Sequence, residues 1–529
     1  MPISHRGSFS AIRARVSRQI LSILAKPISP QQRSCSVATA TKTTSKKKGE
    51  SVNGFDRFFE ITKRGSTWLT EVRGGVVIFM TMVYIVILNP IILAAGAKDV
   101  DGNTLSFLAI GSATALTAGI MSLLFGLIAR LPFALAAGLG INNFLAVTVV
   151  GQVSWPEAMG LVVIDGVIIV ILAVTGLRTM IFNAVPAALK TAITVGIGLF
   201  IAFIGLVDGG LIRRNPDDAN TPVPVNWGVG ADHLLSVPTL CFIIGVVVIA
   251  ILMALRVRAA ILIGLVIATI VAIVLEATMH IGPKFSDAGF NPFGWDTTVP
   301  GLPTSIVATP DFSSIGQVDF LGAFGRIGAL AGIMLVFTLV FSNFFDAMGT
   351  MTGLSKQAGL ADKKGHFPRL RAALIVEGAG AVAGGLTSTS SNTVYIESAS
   401  GIAGGAKTGL ASAVTGVLFL IAMFFTPLTS IVPIEVGASA LVIVGGLMMA
   451  QVVDIDWKDW SIAFPAFAAI IVMPFSYSIA NGIGVGFILW VILRAVAGKA
   501  KEIHWLLWVV AAGFLLYFIL PYIQQAIAA

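Results

Sequence analysis

The sequence predicts an all-α polytopic membrane protein with about fourteen transmembrane segments in two sets of seven. Composition is the first observation. Of 529 residues, 56% are hydrophobic and 11% charged, where a soluble domain carries roughly 25% charged residues. Mean hydropathy is +0.92. The second is length: apolar runs close to the ~20 residues that cross a bilayer as a helix recur along the chain. The third is a pair of interrupted, polar, glycine-containing runs at matching places in the two halves, the pattern of inverted repeats around a midplane site.

The elements follow in order. Residues ahead of Glu50 include ten Lys or Arg and no acid, so 1–54 reads as a basic tail. Its segment FSAIRARVSRQILSILAK suits a basic amphipathic helix, which leaves a transit peptide or surface anchor open. A solvated cytoplasmic tail is the preferred reading. Spans are then expected at 74–95, 107–129, 131–150, 157–176, 187–207, 237–255 and 259–280. A second set is expected at 327–350, 372–386, 390–405, 408–428, 437–453, 462–478 and 481–496. Two long polar connections cover 212–233 and 282–319. The run 505–523 is apolar enough to cross, and a fifteenth span and an interfacial helix both remain open.

Charge asymmetry supports the count. With the tail in the cytoplasm, the even-numbered loops carry Arg130, Arg178, Arg256, Arg258, Lys356, Lys363, Lys364, Arg369, Arg371, Lys407 and Lys458. Positive charge thus gathers on the side where it is expected. The net charge of +8 comes mostly from the tail, so nucleic-acid binding is not indicated. Cys35, Cys241 and five scattered histidines give no disulfide framework and no metal spacing. No nucleophile–base pair or phosphate loop appears, so neither an enzyme nor a cofactor is expected.

The third span, LPFALAAGLGINNF, places Gly138, Gly140, Asn142 and Asn143 inside an apolar run. The tenth, SSNTVYIESASGIAGG, is polar and glycine-rich. Each break frees backbone N–H and C=O groups that must face a cavity or be satisfied by protein. Two acids belong to this region: Asp346, closing LAGIMLVFTLVFSNFFDAMGT, and Glu397 in the tenth span. A carboxylate at membrane depth costs several kcal/mol and is seldom kept without a partner or task. Asp165 and Glu377 are the other intramembrane acids, expected to support the site or bridge helices. Together these features indicate a transporter for a small polar solute.

The strings RGGVVIFMTMVYIVILNPIIL, GLGINNF, VPAALKTAITVGIGLFIAFIGL, FFDAMGT and SNTVYIESASG followed by KTGL resemble the AzgA-like purine permeases. These belong to the nucleobase–cation symporter (xanthine/uracil permease) superfamily, and the similarity runs from about residue 55 to 496. The resemblance implies fourteen spans as a 7+7 inverted repeat. A core domain would comprise 55–176 and 322–428, and a gate domain 177–281 and 429–496. An extracellular connection (282–321) and a C-terminal apolar segment (497–529) complete the chain, with short strands in spans 3 and 10. It also implies import of purine bases (hypoxanthine, guanine, adenine) with protons across the plasma membrane, an elevator-like core movement and a homodimer contact through the gate.

By the same resemblance, Gly140, Asn142, Asp346 and Glu397 match substrate-binding positions. Asp346 and Glu397 are the proton-coupling candidates. Asn143, Asn392, Thr393 and Glu377 are candidates for support. A carboxylate accepts from two N–H groups at once, which suits a purine edge, and Phe144, Phe344 or Phe345 would offer a stacking face. Departures from the family pattern fall beside the site: Ser388, Thr389 and Ser390 where Gly-Thr-Ser is usual, and Asn143 where alanine is common. A uracil or xanthine permease is the near alternative. An anion carrier on the same fold is the distant one, opposed by two acids at the site.

Overall fold

A computed structural model describes residues 54–94, 97–214, 225–227, 236–286, 289–303, 305–361 and 367–528. The expectations for the tail up to residue 53, for Cys35, and for Lys363 and Lys364 lie outside them, as does most of 212–233. Among the described residues, ten helices are long and apolar enough to cross a bilayer, counting the two pieces of span 1 together.

The spans form where apolar length allows and begin where a hydroxyl or carboxylate can take a free N–H. Ser106 caps the helix Phe107–Ile128 of span 2, and a Ser154–Glu157 capping box opens Trp155–Thr175 of span 4. Ser236 and Ser478 cap Val237–Ala254 and Ile479–Arg494 of spans 6 and 14. Each such cap satisfies a donor that lipid would leave stranded. The other continuous spans are Ala187–Asp208 (span 5), Ala260–Met279 (7), Ala329–Gln357 (8), Leu370–Leu386 (9), Gly409–Ala422 (11), Ile434–Met449 (12) and Trp460–Phe475 (13). Span 1 breaks into Trp68–Met82 and Ile85–Ala94, and Tyr84 sits in the break. Spans 3 and 10 are each a strand followed by a short helix: Leu135–Ala137 with Leu139–Phe144, and Asn392–Val394 with Ser398–Ala403.

Packing sorts the spans into two sets. Spans 1–4 and 8–11 pack chiefly on one another. Spans 5, 6, 7, 12, 13 and 14 form the second set. In the first set, spans 2 and 11 meet along a glycine seam. A Cβ on Gly409 would strike the Gly126 carbonyl, and one on Gly416 the Gly119 carbonyl. Side-chain-free contact of this kind lets helices associate through van der Waals packing in lipid.

The first set is tied down at both ends. Glu71, fully buried in span 1, accepts N–H groups of Lys407 (2.9 Å) and Thr408 (3.1 Å) at the start of span 11. At the opposite end, the 282–319 connection, expected only as polar, is hydrogen-bonded onto the spans. Asp319 N–H meets the Pro156 carbonyl, Gly316 N–H meets Leu386, and Ala308 N–H meets Phe424. Arg326 follows and pairs with both Asp101 and Glu157. The C-terminal apolar run is one helix, Trp505–Ala528. Its Phe514 packs on Phe487 of span 14 and Phe337 of span 8.

Candidate functional site

The two broken spans meet as an antiparallel pair, with Leu135 opposite Val394, Ala136 opposite Thr393 and Ala137 opposite Asn392. Backbone groups freed by each break thus satisfy those of the other, which is the condition for irregular backbone at membrane depth. The crossing is pinned further. Gly138 N–H donates to the Ser391 carbonyl (2.9 Å), Tyr395 N–H to Ala134 (3.0 Å), and the Tyr395 hydroxyl to Ala137 (2.5 Å). Ser398 Oγ accepts from Ala134 N–H at 3.0 Å. Upstream, Ser388 and Ser390 turn the chain with φ of 57° and 69°, a left-handed conformation that costs a non-glycine residue roughly 1–2 kcal/mol.

A cavity of about 70 Å³ lies against this crossing. Its walls include Tyr84, Gly140, Asp346, Thr393, Tyr395 and Glu397 from the first set, and Thr194, Ile197, Val444 and Met448 from the second. Glu397, Ile396, Val444 and Met448 also line a second cavity of about 450 Å³, bordered by Arg256 and Arg258. Glu397 Oε1 accepts the Tyr84 hydroxyl at 2.6 Å. Asp346 opens onto the cavity from span 8. Gly140 matters for approach: a Cβ there would stand 2.9 Å from Ile197 Cγ2 of span 5.

Gly140, Asp346 and Glu397 thus come together on one cavity, and Thr393 joins them. Asn142 does not. It is buried behind the wall, donating to Asn89 Oδ1 at 2.5 Å, while Asn89 donates to Thr114 Oγ1 (2.8 Å) and the Thr389 carbonyl (3.1 Å). The helix restarts at Leu139, and two residues turn about 200° around a helix, so Gly140 and Asn142 face opposite ways. Asn143 bonds back to the Leu139 carbonyl of its own turn. Asn392 is not part of the cavity wall and turns its amide to the Ser390 carbonyl at 3.4 Å, while Thr393 lines the cavity. Phe144, Phe344 and Phe345 pack in the interior; the aromatic walls are Tyr84 and Tyr395.

A sequence profile of the Permease family matches residues 69–485. The chain belongs to this family. It is 40% identical over 474 residues to the guanine/hypoxanthine permease PbuG of Bacillus subtilis (strain 168), covering 87% of this chain and 99% of that one. It is 35% identical over 463 residues to the adenine permease AdeP of Escherichia coli (strain K12), covering 87% and 95%. Among solved structures it is similar to the transmembrane domain of a cyanobacterium bicarbonate transporter, BicA. The TM-score is 0.55 at 14% identity, over 78% of this chain and 97% of that one. It is also similar to the murine Solute Carrier 26 family member A9 anion transporter in the inward-facing state. There the TM-score is 0.55 at 11% identity, over 87% and 74%. The permease has their seven-plus-seven inverted-repeat fold and is a multi-pass membrane protein.

Behind the cavity the permease carries two more acids, each with a partner. Asp165 Oδ2 accepts from Asn343 Nδ2 at 3.1 Å, and the same amide donates to Ser391 Oγ at 2.7 Å, so spans 4, 8 and 10 are joined. Glu377 Oε2 pairs with Arg178 Nη1 at 2.5 Å, both side chains fully buried. Arg178, expected in a cytoplasmic loop, is therefore an interior residue. Its partner lies 199 positions away, a separation no local pattern reveals. Tyr84 was also missed, because a tyrosine inside an apolar run reads as packing.

Proposed function

We propose that this permease imports purine nucleobases across the plasma membrane by proton symport, with its N-terminus in the cytoplasm. The observation that carries the reading is the convergence of Glu397, Asp346 and two tyrosines on one cavity at the crossing of two broken spans. Relatives named as guanine/hypoxanthine and adenine permeases over nearly their whole length support the choice of solute.

The chemistry is specific. A purine presents N–H donors along its edges, and an ionised carboxylate accepts two of them with charge-assisted bonds. Glu397 is the group for that edge, already oriented by Tyr84. The tyrosine rings give the flat base an apolar face. Asp346 shares the cavity without a hydrogen bond to any described residue. It is the carboxyl free to exchange a proton with solvent or ligand.

The two packing sets would act as the core (55–176 and 322–428) and the gate (177–281 and 429–496). The core holds both strands and both acids. The gate offers Ile197, Ile201, Val444 and Met448, an apolar surface with few directional bonds to break as the core slides past it. Residues 282–321, bonded onto the core, would be the extracellular connection between the halves.

The test is uptake of labelled hypoxanthine in a host lacking its own purine permeases, with adenine, guanine, xanthine, uracil and sulfate as competitors. Competition by purines and collapse with a protonophore are expected. Uptake competed by sulfate alone, or unaffected by the protonophore, would overturn the respective part of the reading.

A further inference from the structure

Span 4 ends at Gly176, which closes it in a left-handed conformation (φ 79°). An eight-residue helix, Leu177–Ala184, then leads to span 5. This helix is one of three covalent links between the two packing sets, beside the 7-to-8 and 11-to-12 connections. Its one charged side chain is Arg178.

That side chain does not reach for water or headgroups, the usual course for an arginine near a span end. It runs inward and is fully buried. Nη1 bonds Glu377 Oε2 in span 9 at 2.5 Å and the Leu374 carbonyl at 3.3 Å. The guanidinium carbon lies 5.4 Å from the ring centroid of Phe344 in span 8, two residues before Asp346. Nε, Nη2 and Glu377 Oε1 are buried without a hydrogen bond to any described residue. An ion pair desolvated this far, with donors unmet, contributes little net stability and is often matched by an apolar pair. Its retention calls for another role.

We propose that Arg178 is a positioning residue for the transport step. It clamps the linker helix to the core at Glu377 and Phe344, so that the linker moves together with the span that carries Asp346. The clamp deepens the reading of the chain as an alternating-access carrier and rests on it. Without the clamp, the core would still bind solute at Glu397, but its displacement would be taken up by slack in the linker instead of driving a complete passage.

Two measurements on full-length, reconstituted protein test this. The first needs no solute: backbone hydrogen exchange over residues 177–184 in native protein, R178Q and R178K. Exchange of this segment about tenfold faster in R178Q, with R178K in between, is expected for a lost local clamp. Unchanged exchange would overturn the proposal. The second is the ratio of hypoxanthine uptake rate to equilibrium hypoxanthine binding sites in the same preparation. This ratio corrects for misfolded protein, because unfolded molecules drop out of both terms. In R178Q it should fall about tenfold or more while KM stays within about threefold, a barrier effect and not a binding one. R178K, which keeps the cation, should recover part of it. An unchanged ratio in R178Q, or loss of binding in well-folded R178K, would refute the clamp. If native protein binds no purine, the proposed function fails, while the exchange experiment still decides the clamp.

Discussion

Replacing Glu397 with glutamine probes the site most sharply, because it changes charge and donor pattern while keeping shape. In the native protein Glu397 Oε1 takes the Tyr84 hydroxyl at 2.6 Å, and an amide oxygen can do the same. What changes is the edge offered to the base. A hydrogen bond to a charged group contributes about 1.5–3 kcal/mol against about 0.5–1.5 for a neutral one, a loss of about 1–1.5 kcal/mol per bond. Guanine presents two adjacent N–H donors, at N1 and the exocyclic amine; glutamine keeps one acceptor and turns a donor on the other, so Glu397→Gln weakens one bond and loses the second, about 2.5–4.5 kcal/mol or roughly 70–2000-fold in affinity. Hypoxanthine presents N1–H beside its C6 carbonyl, a donor–acceptor pair an amide can also meet, so its loss should stay below about 5–13-fold. Adenine presents one donor beside one acceptor, the pattern an amide matches with two bonds, so its affinity should hold or improve. The assay is inhibition of labelled hypoxanthine uptake by each base, normalised to the amount of protein in the membrane. Equal losses for guanine and adenine would refute the assignment of Glu397 to the base edge, and unchanged inhibition by all three would remove it from the site.

Asp346→Asn should abolish accumulation against a gradient while leaving solute exchange between preloaded and external pools, measured with and without a protonophore. Loss of both would make Asp346 a binding residue only. Tyr84→Phe removes the one hydroxyl on Glu397 and should raise KM for hypoxanthine by about 10-fold, since a charge-assisted bond is lost at a kept ring. An unchanged KM would detach Tyr84 from function. Glu71→Ala strips two backbone donors of their acceptor and should cost about 2–4 kcal/mol of stability, seen as a lower thermal midpoint in detergent, with uptake per folded molecule retained. Ser390→Gly should raise that midpoint by relieving about 1 kcal/mol of left-handed strain, because the Ser390 hydroxyl makes no hydrogen bond to a described residue that would offset it.

Much of the architecture was legible because the bilayer imposes a length. Each expected span from 107–129 to 481–496 has its counterpart, with bounds a few residues off except that span 8 runs on to Gln357, since the run of apolar side chains is the signal and lipid thickness its ruler. The breaks in spans 3 and 10 were legible through Gly138, Gly140 and the Ser-rich turn, none of which continues a helix well. The break at Tyr84 was not, because the residues around it, MVYIVIL, include no glycine, proline or charge to mark it. Asp346 and Glu397 stood out as charges among apolar neighbours. Asn142 stood out equally and faces the other way, because the phase of a helix restarting at Leu139 is set by the strand before it. Arg178 looked like a loop charge because its partner, Glu377, is close only after spans 4 and 9 have packed.

The four acids at and behind the cavity are handled in four ways, and the differences suggest their division of labour. Glu377 is matched by a full cation. Asp165 is met by an amide that also holds Ser391. Glu397 has a phenol on one oxygen and leaves the other toward the cavity. Asp346 has the cavity alone. A carboxylate in a low-dielectric interior must be compensated by a counter-charge, by hydrogen bonds, or by taking up a proton. Glu377 has its counter-charge built in, so its charge need not change during a cycle, whereas Asp165 has one amide on Oδ2 and an Oδ1 with no hydrogen bond to a described residue. Glu397 is half compensated, which leaves one oxygen whose remaining demand an N–H-bearing base can meet. For Asp346 only a ligand, water or a proton remains. An acid whose charge state the fold leaves undecided is the natural place for a coupled proton to arrive and leave. One whose orientation the fold fixes is the natural place to read the solute.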